Sequence, residues 1–345
     1  MKAVTRDRYG SPDVLQISDL TTPAVGNDDV LVRIHAASLN QADIDYLYGR
    51  PLLTKMGTGF RRPKDRGLGL DAAGRVEAVG RDVTAFRAGD DVFGDLTEFG
   101  QGAFAEYAAA PERAWAHKPP AMTFEEAATV PQSAILALQG FRSGRGIRPG
   151  DRVLINGASG NVGPFAVQIA KAFGAIVTAV ASGPKLDMVR ARGADHVVDY
   201  TREDYTRGRQ RYDWILDIAG NRSLLENRRA LKRGGTYVMI GGSTKRIFSA
   251  LLLGPLISRV GRRKLGLNMW WKPFKKDDVA LLKELIAAGK ITALIDRTYP
   301  LAEVPDALRY LEAGHAKGKV VIAMAQPSPS GPTSAPTNGR GVGHG

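Results

Sequence analysis

Along the first 120 residues, apolar and polar positions alternate in short runs punctuated by glycine. Met1–Thr5, Val30–Ala36 and Gly74–Gly80 each read as a strand, and Gly89–Gly94 as a turn followed by one. Many short strands joined by tight turns predict a small barrel-like domain. Near residue 121 the period changes. Thr123 and Glu126 form a capping box that opens a helix, because each can satisfy a backbone N–H that the first turn leaves free. Strands at Asp151–Asn156, Ile176–Ala181, His196–Tyr200, Trp214–Ala219 and Thr236–Gly241 then alternate with helices at Val162–Phe173 and Lys185–Arg192. Such alternation predicts a parallel sheet with right-handed crossovers. An amphipathic helix follows at Asp277–Gly289, and another within Leu301–Ala313 opens near Val304. Gly318–Met324 is a last apolar strand. Residues 326–345 carry Pro, Ser, Gly and Thr without an apolar period and are expected to be a disordered tail. No internal repeat is visible.

A chain of 345 residues suggests two domains, at about 150 residues each. The expected class is α/β. The expected division is a first domain over 1–120, a parallel-sheet domain over 121–265, a return to the first over 266–325, and the tail. There is no cysteine, which excludes disulfides, thiolate nucleophiles and cysteine-ligated metal sites. This fits a reducing compartment, and the cytoplasm is the expected one. The first residues show no apolar signal core, and no run is long enough to span a bilayer. The net charge of +13 is concentrated. Between Lys245 and Lys276 there are nine Lys or Arg and no acid.

The chemistry begins at Gly157-Ala158-Ser159-Gly160-Asn161-Val162-Gly163, between the strand ending at Asn156 and the helix after it. Small residues let the backbone turn sharply and approach a pyrophosphate. The helix start then offers free N–H groups to the anion. The strand–turn–helix context makes this a nucleotide site and not merely a turn. Selectivity for NAD comes from an acid after the second strand. Here Ser182-Gly183-Pro184-Lys185 follows, with a hydroxyl and a cation that suit a 2′-phosphate. NADPH is therefore expected, ahead of NADH.

Several further segments carry a family resemblance: Ala36-Ala37-Ser38-Leu39-Asn40 with Asp43, Gly69–Val76, Gly102–Tyr107, Glu125–Pro131, the glycine loop, Gly193–Tyr200 and Gly318–Ile322. Over residues 1 to 325 the chain resembles the zinc-independent quinone oxidoreductase (zeta-crystallin-like) branch of the medium-chain dehydrogenase/reductase superfamily. The resemblance implies a GroES-like β-barrel catalytic domain and an inserted Rossmann domain. It implies that the pyrophosphate rests on Ser159, Gly160, Asn161 and Val162, and the 2′-phosphate on Ser182, Lys185 and Tyr200. The nicotinamide end would lie near Asn40, Pro131, Gly241, Gly242, Gly318 and Lys319. The family usually has Gly at the Asn161 position; Asn tolerates left-handed backbone better than most residues. Zinc-dependent relatives carry Cys and a His–Glu pair, whereas this chain has Leu70-Asp71 there and five scattered histidines, so no metal is expected.

The implied reaction passes hydride from NADPH to a quinone or the β-carbon of an enone. The carbonyl oxygen then needs hydrogen-bond donors. Asn40, Tyr46 and Tyr48 are the catalytic candidates, each also readable as a turn clamp or an ordinary packed residue. The segment 247–276 reads as packing on the domain seam, as a cover over an apolar substrate, or as a weak membrane-surface contact. A homodimer through the edge of the Rossmann sheet, at Thr236–Gly241, is a further expectation from the family. An NADPH-binding sensor and an alcohol/aldehyde dehydrogenase-type reductase are the competing readings. Nucleic acid is not an expected partner, since no recognition motif accompanies the basic segment.

Overall fold

The computed structural model describes residues 1–51, 54–143, 145–259, 264–267 and 274–325. Two large sheets organise them, beside an antiparallel pair formed by Lys2–Thr5 and Gln16–Asp19. The first has the order Ile295–Pro300, Lys319–Ala323, Asp29–Ser38, Asp71–Val79, Asp91–Asp95 and Trp115–His117, with Tyr107–Pro111 also pairing with Asp29–Ser38. Its first pair is parallel and the others are antiparallel. This is the β-rich domain expected from the alternating pattern.

The second sheet is parallel throughout. Its order is His196–Asp199, Ile176–Ala181, Arg152–Asn156, Tyr212–Asp217, Leu231–Met239 and Lys264–Leu267. Parallel strands need helical crossovers, which cover both faces and favour continuous apolar runs. Val153-Leu154-Ile155 is such a run. Val153 and Ile155 join one core while Leu154 joins the other, and all three are fully buried.

The expected elements shift in places for physical reasons. Lys185–Arg192 becomes a short 3-10 turn, Gly183–Lys185, running into the helix Leu186–Ala191, with Pro184 in a first-turn position where its missing N–H costs nothing. The strand expected from Thr236 starts at Leu231, directly after the helix Leu224–Ala230. It is also not an edge. Thr236–Met239 pairs with Tyr212–Asp217 on one side and Lys264–Leu267 on the other. Its ladder groups are already paired within the chain, so the dimer seam expected at Thr236–Gly241 is corrected: among the described residues the outer strand there is Lys264–Leu267. The basic segment contains the helix Thr244–Arg259, on which Phe248 and Leu252 are exposed. Trp270, Trp271 and the tail 326–345 lie outside the described residues.

The capping box forms as read. The Thr123 hydroxyl accepts the Glu126 N–H at 3.2 Å, and Glu126 accepts the Thr123 N–H at 2.9 Å. The helix it opens, Phe124–Ala128, packs on the first sheet. The next helix, Pro131–Arg142, touches both domains. Lys276–Ala287 lies against it, and Val279, Leu282, Leu285 and Ile286 join the core that holds Val153 and Ile155. The chain rejoins the first sheet at Ile295, later than residue 266.

Leu282 is the test of that packing, being 1% exposed. Leu282→Ala is expected to lower unfolding free energy by about 2–5 kcal/mol, the cost of deleting a buried leucine side chain. A urea titration checks it through the midpoint.

Candidate active site

In open α/β sheets, ligands bind beyond the carboxyl ends of the strands where the strand order reverses. Here that place lies between Arg152–Asn156 and Tyr212–Asp217. The two strand ends are tied across it: the Asn156 amide donates to Asp217 Oδ1 at 2.8 Å and to Asn221 Oδ1 at 2.9 Å. Asp217 also accepts the Gly220 N–H at 2.8 Å and the Tyr237 hydroxyl at 2.8 Å. Burial pushes this carboxyl above the ordinary range, and its four donors, the fourth being the Asn227 amide at 3.5 Å, pull against the shift. The network fixes the turn at Gly220 against Gly241 and Gly242, the glycines assigned to the nicotinamide end. Sequence reading missed Asp217. The available signal was an acid ending an apolar strand, Trp214-Ile215-Leu216-Asp217.

The glycine loop has the required shape. Gly157 sits at φ +89°, in the left-handed region. A Cβ on Gly163 would lie 2.2 Å from the Ala158 backbone carbon, so only glycine lets the helix Gly163–Ala172 start this close to the turn. Among the described residues, the N–H groups of Ser159, Asn161 and Val162 donate to no acceptor. These are the donors an anion at a helix start would use, and they fit a pyrophosphate. A Cβ on Gly160 would meet only the Gly157 carbonyl, at 3.8 Å. Asn161 does not use left-handed backbone, contrary to the reason expected for its tolerance. Its side-chain amide instead donates to the Leu39 carbonyl at 3.3 Å and ties the loop to the catalytic domain. Asn161 Oδ1 is buried without a partner.

At the far end of the crevice, Ser182, Lys185 and Tyr200 gather at the ends of adjacent strands, with Tyr200 N–H bonded to the Ala181 carbonyl at 3.2 Å. Tyr200 is exposed. Lys185 Nζ donates to the carbonyls of Gly314 and Ala316 at 3.0 and 2.8 Å, which uses two of its three N–H groups. Partial burial lowers its pKa. Sequence reading also missed Asp199. Its hydrogen bonds to Thr201 hold it below the usual carboxylate range, and its Oδ2 would lie 2.8 Å from a Cβ on Gly183. An acid therefore reaches this corner from the third strand. Arg202 Nε is 3.7 Å from the same carboxylate.

The floor between the domains is a buried polar cluster. Lys319 Nζ donates to Asn40 Oδ1 at 2.6 Å and to Ser133 Oγ at 3.2 Å, and lies 3.7 Å from Asp71 Oδ2. The Asn40 amide donates to Asp71 Oδ2 at 3.0 Å. Asp71 also accepts the Gln132 N–H at 3.2 Å, placing its charge at the start of the helix that Pro131 opens. Burial outweighs these partners, raising the Asp71 pKa and lowering that of Lys319. Gly318, at φ +146°, leads into Lys319 against the Leu294 carbonyl. Asp43 accepts the Asn40 N–H at 2.7 Å, which is the turn clamp, and burial raises its carboxyl to about 8. Asp95, bound by Thr97, rises to about 7 by burial and the nearby Asp71. Asp43 Oδ1 and Asp95 Oδ2 have no partner.

The two candidate tyrosines part ways. Tyr46 is half-buried, and its phenol is held up by burial and by Asp95 and Asp43. Tyr48 instead donates to Glu312 at 3.1 Å, with the Arg50 guanidinium stacked over its ring.

Residues 26–120 match the alcohol dehydrogenase GroES-like domain, and residues 192–322 a zinc-binding dehydrogenase domain. A mouse (Mus musculus) protein, NAD(P)H oxidoreductase RTN4IP1, mitochondrial, is 34% identical over an alignment covering 93% of this chain and 89% of its own. A tomato (Solanum lycopersicum) 2-methylene-furan-3-one reductase is 33% identical, covering 93% and 79%. A quinone oxidoreductase from Coxiella burnetii superposes with a TM-score of 0.82 at 28% identity, covering 94% of this chain and 99% of that one. The chain belongs to the quinone oxidoreductase branch of the medium-chain dehydrogenase/reductase superfamily. The superfamily's two parts, a GroES-like domain and a Rossmann-like parallel sheet, are the two sheets described above. In this oxidoreductase the described residues contain no group of three His, Cys, Asp or Glu arranged to hold a metal, and no helix long and apolar enough to cross a membrane.

Two outcomes follow. Gly163→Ala forces the helix start away from Ala158. It is expected to weaken binding of the nicotinamide cofactor by at least about tenfold in a fluorescence titration, because it displaces the free N–H groups at the helix start. The second concerns pH. Folded Asp43 keeps its proton up to about 8, whereas the unfolded chain releases it near the ordinary 3.8. The folded state therefore binds more protons between these values, and stability falls as pH rises through that window. Asp43→Asn removes this contribution. Urea midpoints at several pH values between 4 and 8 should fall less steeply for the variant than for the unmodified protein.

Proposed function

We propose that the protein binds NADPH in the crevice of its parallel sheet and reduces quinones or enones without a metal. The observation that carries this reading is the junction at Leu39–Asn40. The glycine loop reaches the catalytic domain there through Asn161, one residue from the buried Asn40–Lys319–Asp71 cluster. A cofactor lying along the crevice would thus end beside fixed hydrogen-bond donors. The names of the relatives support the same chemistry.

Bound NADPH would supply a hydride. The chain's own residues do the rest. Ser159, Asn161 and Val162 hold the pyrophosphate by their N–H groups. Gly160 leaves room for it. Ser182, Tyr200 and the third N–H of Lys185 face the 2′-phosphate, and Arg202 adds a cation. Pro131, Gly241, Gly242 and the Gly318 turn border the nicotinamide. Asn40 and Tyr46 offer donors to the carbonyl oxygen, on which negative charge builds as hydride arrives. Tyr48 serves Glu312 and is the weaker candidate. Asp71 and Leu70 stand where zinc relatives have their His–Glu pair, and a buried ammonium lies beside them, which suits a site without a metal.

Asp199 gives the NADH reading some weight, because an acid at this corner can accept the ribose 2′-OH. The cytoplasm is the proposed compartment, on the cysteine-free composition. Exposed Phe248 and Leu252 support either a second copy or a weak membrane-surface contact through 247–276.

The test is oxidation of NADPH and of NADH by purified protein with a panel of quinones and enones. Turnover at a kcat/KM at least about tenfold higher with NADPH is expected, since one charge-assisted contact is worth about 1.5–3 kcal/mol. Equal turnover with NADH would overturn the 2′-phosphate assignment and leave the chemistry. Tight NADPH binding with no turnover would favour the sensor.

A further inference from the structure

Lys319 was expected at the cofactor, yet it is 1% exposed and its ammonium points into the cluster beneath Asn40. A lysine has three donors and no acceptor. Whatever faces it must be an acceptor, so Asn40 presents Oδ1 to Lys319 and turns Nδ2 to Asp71. Chemistry alone therefore sets the amide orientation. One Nδ2–H is spent on Asp71, and among the described residues the other has no acceptor. Ser133 reinforces the arrangement, its Oγ being 3.4 Å from the same Oδ1.

We propose that Lys319 is a positioning residue for hydride transfer, acting through Asn40. Its ammonium locks and polarises the Asn40 amide, so that the remaining N–H serves as the donor to the substrate carbonyl oxygen. Accepting a hydrogen bond from a cation withdraws density from the amide and strengthens its own N–H groups as donors. The arrangement gives a metal-free site a fixed electrophile without exposing a charge to solvent. This rests on the proposed reduction of carbonyl compounds and names how that site polarises its substrate.

The simpler alternative is that Lys319 only neutralises Asp71. The two differ in one double variant. Lys319→Met with Asp71→Asn removes both charges, and the Asn carboxamide can still accept the Gln132 N–H. If Lys319 were only a counter-ion, this pair would restore what Lys319→Met loses. If Lys319 positions Asn40, the double variant stays slow, because Asn40 Oδ1 has lost the ammonium and keeps only the Ser133 hydroxyl at 3.4 Å. The experiment compares single-turnover oxidation of bound NADPH by an enone, NADPH affinity and the crystal structure for the unmodified protein, Lys319→Met, Lys319→Arg and the double variant. Lys319→Met and the double variant are expected to lose about 100- to 1,000-fold in hydride-transfer rate, the range for removing one oxyanion donor. NADPH affinity should change by less than about threefold, since the interaction serves the transition state. Lys319→Arg should recover part of the rate. Restoration by the double variant, or unchanged rates in all variants, would overturn the proposal. If the unmodified protein transfers no hydride, the reductase reading fails separately. The crystal structures then decide the positioning: a rotated or disordered Asn40 amide in Lys319→Met supports it, and an unmoved amide overturns it.

Discussion

A carboxylate removed from water must find its stabilisation inside the protein, and Asp71 finds it from every segment that meets at the domain junction. The Asn40 amide comes from the cap of the helix Gln41–Tyr48 and the Gln132 N–H from the start of another helix. Ser38 reaches it at 3.5 Å from the end of the strand Asp29–Ser38, and Lys319 at 3.7 Å from a strand nearly 250 residues away in sequence. A buried pair such as Asp71–Lys319 contributes little net stability, because desolvation consumes most of the attraction. What it does impose is geometry. None of these partners can move without leaving a charge unpaired, so the Asp71 cluster fixes how the barrel, the bridging helix and the returning strand meet.

From that junction outward the structure follows common α/β physics. The parallel sheet is buried on both faces. Its strand order reverses between Arg152–Asn156 and Tyr212–Asp217, and the Asn156–Asp217 bond closes the floor of the crevice there. The glycine loop rises on one side, the Gly220–Gly242 crossing on the other, and Asn161 joins the loop to the barrel. The two polar networks differ in kind. Asp217 is surrounded by neutral donors and shapes a turn. Asp71 is surrounded by a cation and amides and borders the site proposed for hydride transfer.

The fold was legible because its signals are local. The capping box at Thr123 and the strand–turn–helix at Asn156–Gly163 each occupy a few consecutive residues, and both formed as read. What escaped was non-local. Asp199 meets Gly183 across a strand pair, and Asp217 gathers groups from four segments. Lys319 read as a cofactor residue from its turn, and only the packing of four segments reveals that it is buried under Asn40. Tyr46 and Tyr48 lie two positions apart on one helix, which turns them to different faces, one toward the buried acids and the other onto Glu312. Spacing along the chain cannot separate such cases until the helix is placed.

Reduction with NADPH deuterated at nicotinamide C4 tests the central claim most directly. With an enone as acceptor, direct hydride transfer predicts that the deuterium of one C4 face appears at the β-carbon of the product. Oxidation of NADPH with no deuterium in the product would contradict it, since the cofactor would then be giving up its electrons by a route other than hydride transfer to the bound carbonyl compound.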